Sequence, residues 1–313
     1  MSRLIWMLIC FLLLTGCKYH PYIRDTSAPP THWTTATPTA IPTPTPAPVP
    51  APVSTPTPLP VQRDPVLLDY YLVASELADA YRDGEPVVAS ISGVQLELER
   101  VLAYVSLLIP QQLRLQEETR WLDDTLESVR YECSFPLAID SEFDKATRIL
   151  HETVDRLITP DMADRERLRE IHDWVIGRNV YPDEYGEDER SAAALVFYGN
   201  AICSGYADAV KIMCDRAGIP AVNLSGTATN NLGLTGNHGW NLVYVDGQWL
   251  HLDATYDDPK TTTGKNVCLD DYFLVSTESI LRDHALDRTL GWDEILAFAD
   301  YYYFSERANG SLS

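Results

Sequence analysis

Residues 201–208 have the sequence Ala-Ile-Cys-Ser-Gly-Tyr-Ala-Asp and begin a helical pattern that ends at Gly218-Ile219-Pro220. Small and apolar residues recur along it three and four positions apart, which indicates one buried helix face. They are Ala207, Val210, Met213, Cys214 and Ala217. Gly and Pro are typical just beyond a helix end. The sequence therefore predicts a helix that starts near Cys203, with Cys214 in the core.

Cys203 occupies the N-terminal end of this predicted helix. The backbone N–H groups of a first helical turn have no partner within the helix, and the helix dipole is positive there. Both effects stabilise a thiolate and can also bind a negatively charged oxygen. We therefore expect Cys203 to be a nucleophile, although a structural cysteine is the ordinary alternative at a helix start.

A β-hairpin is predicted further along the chain. Two apolar runs, residues 240–244 and 248–254, flank the dipeptide Asp246-Gly247, which is a strong signal for a two-residue turn between antiparallel strands. Such a turn fixes the register of the strands, so that Val245 is opposite Gln248.

This register brings a histidine and an aspartate to one face of the hairpin. Counting from the turn places Trp240 opposite Asp253 and His238 opposite Thr255. His238 and Asp253 are then diagonal neighbours, roughly 7 Å apart at the backbone and within side-chain reach. A carboxylate can orient an imidazole there, and the imidazole can act as a base for a thiol. The sequence thus predicts a Cys203-His238-Asp253 triad for acyl transfer.

Two alternatives remain at this point. The same register places His251 on the face that carries His238 and Asp253, so His251 is a rival base. His251 and Asp253, two positions apart, also have the spacing of a pair of metal ligands. The register brings the side chains together without requiring a metal, and a cysteine at a helix start is better explained by catalysis.

Three segments carry a resemblance to a known family. They are residues 203–207 (Cys-Ser-Gly-Tyr-Ala), 237–241 (Asn-His-Gly-Trp-Asn) and 249–259 (Trp-Leu-His-Leu-Asp-Ala-Thr-Tyr-Asp-Asp-Pro). In this order and spacing they resemble the core motifs of the transglutaminase-like superfamily. The resemblance extends over about residues 165–284.

The resemblance implies an α+β, papain-like core in which the helix carrying the cysteine packs on an antiparallel sheet carrying the histidine and the aspartate. It implies that Cys203 is the nucleophile, His238 the base and Asp253 the residue that orients the base. It also implies that His251 is a strand neighbour and that Asp257-Asp258 forms a surface turn.

The chain departs from the family pattern before the cysteine. Many relatives have a Tyr-Gly pair about ten residues before it, whereas residues 191–194 here are Ser-Ala-Ala-Ala, and the pair Tyr198-Gly199 lies closer. No side-chain donor to an oxyanion is therefore assigned. Tyr198 and Asn200 are candidates, and the backbone N–H of Cys203 is preferred.

The N-terminus resembles an export signal. Arg3 precedes an apolar run over residues 4–14, and Leu14-Thr15-Gly16-Cys17 resembles the bacterial lipobox. We expect residues 1–16 to be a signal peptide and Cys17 to be lipidated, which would anchor the protein at the extracytoplasmic face of the cell membrane.

Residues 17–64 are predicted to form a linker behind the lipidated cysteine. Residues 26–62 contain no Asp, Glu, Lys or Arg and are rich in Pro and Thr, a composition that favours the extended polyproline conformation. At ~3.1 Å per residue these 37 residues span up to roughly 110 Å.

The remaining chain is predicted to fold as two parts. Residues 65–160 form an added, mainly helical N-terminal region, and residues 161–310 form the catalytic domain. In the first part we expect helices over residues 66–81, 96–108 and 143–157, and a strand that places Cys133 on its apolar face. In the second we expect a helix over residues 165–176 that buries His172. Cys133, Cys203, Cys214 and Cys268 allow three disulfide pairings, and the sequence does not choose among them; Cys203 must stay free if it is catalytic.

Charge restricts the class of partner. The net charge of −21 argues against nucleic acid, which needs basic surfaces, and is compatible with a neutral or positively charged polypeptide.

No EF-hand pattern occurs, and the sequence predicts no cofactor and no metal. We expect a cysteine peptidase or amidase acting on extracytoplasmic protein or cell-wall peptide. The alternatives are a cross-linking transglutaminase and a degenerate module that binds such material without turnover.

Overall fold

The structure is a computed structural model that describes residues 22–23, 65–110, 113–135, 140–261 and 267–305. The predicted signal peptide, the lipidation site Cys17 and the Pro-rich stretch 26–62 lie outside these residues and stay predictions. Within the described part, no helix combines the length and the apolar character that crossing a bilayer requires.

Ten strands and seven α-helices make up the described part of the chain. In order they are β1 (Tyr22–Ile23), α1 (Pro65–Asp83), β2 (Val88–Ser92), α2 (Leu98–Leu108), β3 (Arg114–Leu122), β4 (Thr125–Ser134), α3 (Asp140–Leu157), α4 (Asp164–Arg178), α5 (Cys203–Ala217), β5 (Ala221–Thr229), β6 (Thr235–Val245), β7 (Gln248–Leu252), β8 (Lys260–Thr261), β9 (Phe273–Val275), α6 (Thr277–Ile280), β10 (His284–Leu286) and α7 (Trp292–Phe304). A 3-10 turn (Asp188–Arg190) and a π-helical turn (Ala194–Tyr198) lie between α4 and α5.

A five-stranded antiparallel sheet, in the order β10-β5-β6-β7-β9, forms the centre of the fold. The hairpin between β6 and β7 has the predicted register, with Val245 opposite Gln248 and Asn241 opposite Leu252. Asp246 and Gly247 both have positive φ, 53° and 79°, as a type I′ turn requires. The fold is α+β, and the helix that begins with Cys203 packs on this sheet, as predicted.

One hydrophobic core lies between this sheet and helices α3, α4 and α5. Alternate residues of β6 and β7 point into it, among them Val243, Val245, Leu250 and Leu252. The side chain of Asn241, also on β6, donates to the carbonyl of Ala207 on α5 at 3.0 Å. This core and this hydrogen bond together fix the start of α5 relative to the sheet.

A second core lies on the other face of the sheet. Val222, Leu224, Trp240 and Leu242 contribute to it from β5 and β6, and helices α1, α2 and α7 and the N-terminal strands cover them. Trp240 is 1% exposed, and a fully buried side chain of this kind stabilises the fold by about 2–3 kcal/mol. The sheet that carries the candidate site is thus covered on both faces.

The N-terminal region holds a sheet that the sequence indicated only in part. The predicted helices correspond to α1, α2 and α3, and the predicted strand to β4, where Cys133 is buried. Strands β2 and β3 flank β4 in a three-stranded antiparallel sheet, in the order β2-β4-β3. Helix α3 packs with α4 and α5 in the first core, and the predicted boundary after residue 160 stays a prediction.

Candidate active site

Cys203 is the first residue of α5, as the sequence predicts. Ile202 precedes the helix with extended backbone, at φ −92° and ψ −177°. The segment before the helix holds its start, because the N–H of Ile202 donates to the carbonyl of Glu189 at 2.8 Å and Ser204 Oγ donates to the carbonyl of Arg190 at 2.7 Å. A Cβ on Gly205 would lie 2.6 Å from the Ser191 carbonyl oxygen, so the close packing requires glycine there.

The imidazole of His238 joins the thiol to a carboxylate. Its Nε2 lies 2.7 Å from Oδ2 of Asp253, and the ring also hydrogen-bonds the side chain of Cys203. Because Nε2 faces Asp253, Nδ1 is the nitrogen that faces the sulfur. Burial lowers the pKa of His238, but Asp253 and the contact with Cys203 outweigh burial and raise the pKa from 6.5 to about 10.

Asp253 has four hydrogen-bond donors. Oδ1 accepts the backbone N–H groups of Thr255 and Tyr256 at 3.0 and 3.1 Å. Oδ2 accepts His238 at 2.7 Å and His284 at 2.9 Å. Burial raises the pKa of Asp253, but the two histidines more than offset burial and hold the pKa well below its usual range. The carboxylate is therefore ionised at neutral pH, and its orientation is fixed.

His284 is a site residue that the sequence reasoning missed. It is fully buried in β10, its Nε2 faces Asp253, and its Nδ1 lies 2.6 Å from Oδ1 of Asp283. β10 has only three residues, too few for an alternating pattern to show. The one signal in the sequence is the dipeptide Asp283-His284 itself, at the end of the segment that resembles the family.

Sheet register explains how two histidines reach one aspartate. β5 lies between β6 and β10, with Gly226 opposite His238 and Ala228 opposite His284. Residues directly opposite each other share a sheet face, as do residues two positions apart, so both imidazoles point to the same side. A Cβ on Gly226 would lie 1.9 Å from the carbonyl oxygen of Ala285, and glycine is therefore required for β10 to approach β5.

His251, the alternative base, is engaged elsewhere. Its Nδ1 accepts the indole N–H of Trp240 at 3.1 Å, and its Nε2 lies 3.1 Å from Thr277 Oγ1. Burial and the nearby His284 lower the pKa of His251 to about 3, so the ring is neutral. The geometry thus favours His238 as the base and makes His251 the strand neighbour that the family resemblance implies.

Asp257 and Asp258 do not form the expected surface turn, and that expectation is wrong. Both are buried. Asp257 Oδ2 lies 3.1 Å from Nε2 of His172, which is buried as predicted, and Asp258 Oδ2 accepts the hydroxyl of Tyr206 at 2.5 Å. The two carboxylates fasten the loop after β7 to α4 and α5, and these hydrogen bonds offset the cost of burying them.

A family model for the transglutaminase-like superfamily matches residues 151–254, which include Cys203, His238 and Asp253. This part of the chain is a transglutaminase-like core. The transglutaminase-like core comprises the C-terminal part of α3, all of α4 and α5, and strands β5 to β7. His284 lies beyond the end of the match.

Relatives of this core include two curated proteins. Kyphoscoliosis peptidase of Mus musculus is 29% identical over 153 residues, which are 44% of this chain and 23% of that protein. Kyphoscoliosis peptidase of Homo sapiens is 28% identical over the same length, with the same coverage. The chain thus matches less than a quarter of the length of these relatives. Among solved structures, the periplasmic domain of TgpA from Pseudomonas aeruginosa is 17% identical, with a TM-score of 0.27 over 47% of this chain and 66% of that one.

Candidate oxyanion donors in the transglutaminase-like core lie at the start of α5. The N–H groups of Gly205 and Tyr206 both donate to the carbonyl of Ile202, which leaves those of Cys203 and Ser204 as the backbone candidates. Tyr198 is 64% exposed, and its hydroxyl donates to Glu142 on α3 at 3.3 Å. The amide of Asn200 lies 3.4 Å from Glu189. The backbone donors therefore fit an oxyanion better than either side chain.

Two clusters of side chains in the described residues bring three metal-ligating atoms within 4.8 Å of one another. One is His238, Asp253 and His284, whose atoms already hydrogen-bond each other. The other is His172, Asp173 and Cys268 near the surface, where Asp173 accepts from both neighbours.

All four described cysteines are free thiols, so Cys203 is not in a disulfide.

Proposed function

We propose that the chain is a thiol-dependent enzyme that transfers the acyl group of a peptide amide to water, as a cysteine peptidase or amidase. Cys203 is the nucleophile, His238 the base and then the acid, and Asp253 the residue that orients His238. The observation that carries the proposal is the continuous set of contacts from the Cys203 side chain through the His238 ring to Oδ2 of Asp253.

The reaction has two halves. In the first, the Cys203 thiolate attacks the amide carbonyl carbon, the oxyanion is held by the first N–H groups of α5, and the C–N bond breaks as His238 protonates the leaving amine. A thioester remains on Cys203. In the second, His238 takes a proton from water, the hydroxide attacks the thioester carbonyl, and the acid leaves as the Cys203 sulfur is released.

Cross-linking is the alternative outcome of the same thioester. A lysine amine in place of water would yield an isopeptide bond. Hydrolysis is favoured because the curated relatives are named peptidases and because the sequence has no EF-hand pattern for the calcium that would control a cross-linker.

We further propose that the enzyme acts outside the cytoplasm while anchored by a lipid on Cys17. The spacer over residues 26–62 would let the folded part reach protein or cell-wall peptide at a distance from the membrane. Deletion of residues 26–62 tests this part of the proposal. A deletion mutant that supports the same cellular function as the intact chain would contradict it.

Thiol labelling tests the nucleophile. Iodoacetamide at pH 6 should alkylate Cys203 faster than Cys268, although Cys203 is buried and Cys268 is exposed. Cys268 is a suitable internal control, because partial burial of its sulfur and the neighbouring Asp173 raise its pKa to about 12. The preference for Cys203 should disappear in His238→Ala. Equal, slow labelling of all the thiols would favour the binding module instead.

A partition experiment separates hydrolysis from cross-linking. The full chain is incubated with a Gln-containing peptide and a primary amine, and the products are identified by mass spectrometry. Free acid as the main product supports hydrolysis. The amine adduct as the main product would establish the cross-linking alternative.

A further inference from the structure

We propose that His284 is a positioning residue for Asp253 and His238. Its ring, protonated on both nitrogens, holds Oδ2 of Asp253 in place and offsets part of the negative charge that Asp253 presents to His238. The inference rests on the proposed function, because it assigns His284 a part in the same acyl-transfer site.

The contacts of the ring determine where its protons are. Nε2 lies 2.9 Å from Oδ2 of Asp253, and Nδ1 lies 2.6 Å from Oδ1 of Asp283. The other oxygen of Asp283 accepts the hydroxyl of Tyr272 at 2.5 Å. Burial, Asp283 and nearby carboxylates raise the pKa of Tyr272, so this hydroxyl keeps its proton and donates it. An ionised carboxylate only accepts hydrogen bonds, and both ring nitrogens of His284 must therefore donate.

The doubly protonated ring is close enough to act on the base. His238 and His284 approach the same oxygen of Asp253, at 2.7 and 2.9 Å, and their ring centroids are 5.2 Å apart. Both rings are buried, so solvent screens the interaction weakly. A fixed cation on the far side of the carboxylate weakens the attraction between Asp253 and the proton on His238.

This effect matters for the acid half of the chemistry. His238 must give its proton to the leaving amine, and a proton held too tightly by a buried carboxylate is transferred slowly. His284 shares the carboxylate, so the orientation that Asp253 imposes is kept while its pull on the proton is reduced.

Other titratable groups face the two rings from the neighbouring elements. Cys203 of α5 contacts His238, and Tyr256, in the loop after β7, lies 4.8 Å from each ring. On the side of His284, the ring of Tyr272 is 5.6 Å away, and the charge of His284 helps to keep His251 neutral. Tyr272 keeps its proton and His251 stays neutral over the pH range in which His238 loses its proton, so neither accounts for a change in His238.

Substitution of His284 by Gln separates charge from hydrogen bonding. Gln can still donate an N–H to Asp253 but carries no charge. His251→Gln is the matched control, because it replaces another buried histidine of the same sheet whose ring is already neutral. The readout is the pH profile of Cys203 alkylation by iodoacetate in the full chain. This anionic reagent needs both the thiolate and the His238 imidazolium, so the falling limb of the profile follows the loss of the proton from His238.

We expect the falling limb to move to higher pH in His284→Gln by about 2 pH units, which is the effect of one charge roughly 5 Å away at an effective dielectric constant of ~20. His251→Gln should leave the limb in place. An unshifted limb in a folded His284→Gln protein would overturn the role of His284. Absence of selective Cys203 labelling in the wild-type chain would instead overturn the proposed function itself.

A second measurement needs no variant. Nitrogen-proton correlation spectra of the imidazole rings distinguish a doubly protonated ring from either neutral tautomer, and His284 can be assigned through its contacts with the rings of Tyr256 and Tyr272. The proposal requires both nitrogens to carry protons at neutral pH. A neutral ring would overturn it, whether or not His284→Gln folds.

Discussion

The hydroxyl of Tyr206 donates to Oδ2 of Asp258 at 2.5 Å, and this bond joins the loop after β7 to the helix that begins with Cys203. Tyr206 also accepts the side-chain amide of Asn179 at 2.6 Å. The bond holds the two halves of the candidate site together, because Cys203 lies on one side of it and Asp253 on the other. The burial of Asp258 at this bond also makes stability depend on pH.

Asp258→Asn should change that dependence. Burial raises the pKa of Asp258 from 3.8 to about 7, although Tyr206 and His172 oppose the shift. The folded protein thus keeps this proton up to about pH 7, whereas the unfolded chain releases it near pH 4. Wild-type stability therefore falls between these values as pH rises, and the loss is complete above pH 7.

Asn has no proton to lose, so the free energy of unfolding of Asp258→Asn relative to wild type should increase by about 4 kcal/mol between pH 4 and pH 8. Urea unfolding at the two pH values measures this difference. The exposed Asp271 provides the control, because Asp271→Asn should show no such trend. If the difference in unfolding free energy between Asp258→Asn and wild type were the same at both pH values, the raised pKa of Asp258 would be contradicted.

Asp253→Asn should weaken the nucleophile without removing it. The amide keeps the shape of the side chain but loses the charge that stabilises the His238 imidazolium. We expect the iodoacetamide rate of Cys203 at pH 6 to fall by roughly 10²-fold, while the rate of Cys268 stays unchanged. Unaltered Cys203 reactivity in a folded variant would show that the carboxylate has no part in activation.

His251→Gln should leave Cys203 reactive. The ring nitrogens of His251 hydrogen-bond Trp240 and Thr277. Gln replaces these two buried hydrogen bonds imperfectly, which costs about 1–2 kcal/mol of stability. Chemical unfolding should report that loss, and alkylation should proceed at the wild-type rate. If labelling disappeared instead, His251 rather than His238 would be the base.

Gly226→Ala should destabilise the fold. The new methyl group would meet the carbonyl oxygen of Ala285 at 1.9 Å, and relief of that overlap must displace β10 and His284, at a cost of about 2 kcal/mol or more. The matched control is Gly177→Ala in α4, where the methyl group meets nothing within 4 Å. That variant should be neutral or more stable by up to about 1 kcal/mol. Equal stabilities for the two variants would contradict the close packing of β10.

Local signals in the sequence were enough to place Cys203, His238 and Asp253. A helix start, a two-residue turn and the period of a strand are short-range features, and each fixes the direction of nearby side chains. The register predicted from Asp246-Gly247 is the register found.

Long-range features were not accessible in the same way. His284 reaches Asp253 only because β10 pairs with β5, more than fifty residues earlier in the chain, and nothing in a three-residue strand encodes that pairing. Asp257 and Asp258 have a composition typical of a surface turn, and only their partners on α4 and α5 make burial favourable. β2 and β3 were missed because their pattern is set by pairing with β4 rather than by local alternation.

The measurement that tests the central claim most directly is mass spectrometry of the full chain after brief exposure to a peptide library and acid quenching. An acyl group should be attached to Cys203 as a thioester in the wild-type protein and absent from Cys203→Ser and His238→Ala. An acyl group on Cys268 or another side chain, or none on any residue while the library is still cleaved, would contradict the account.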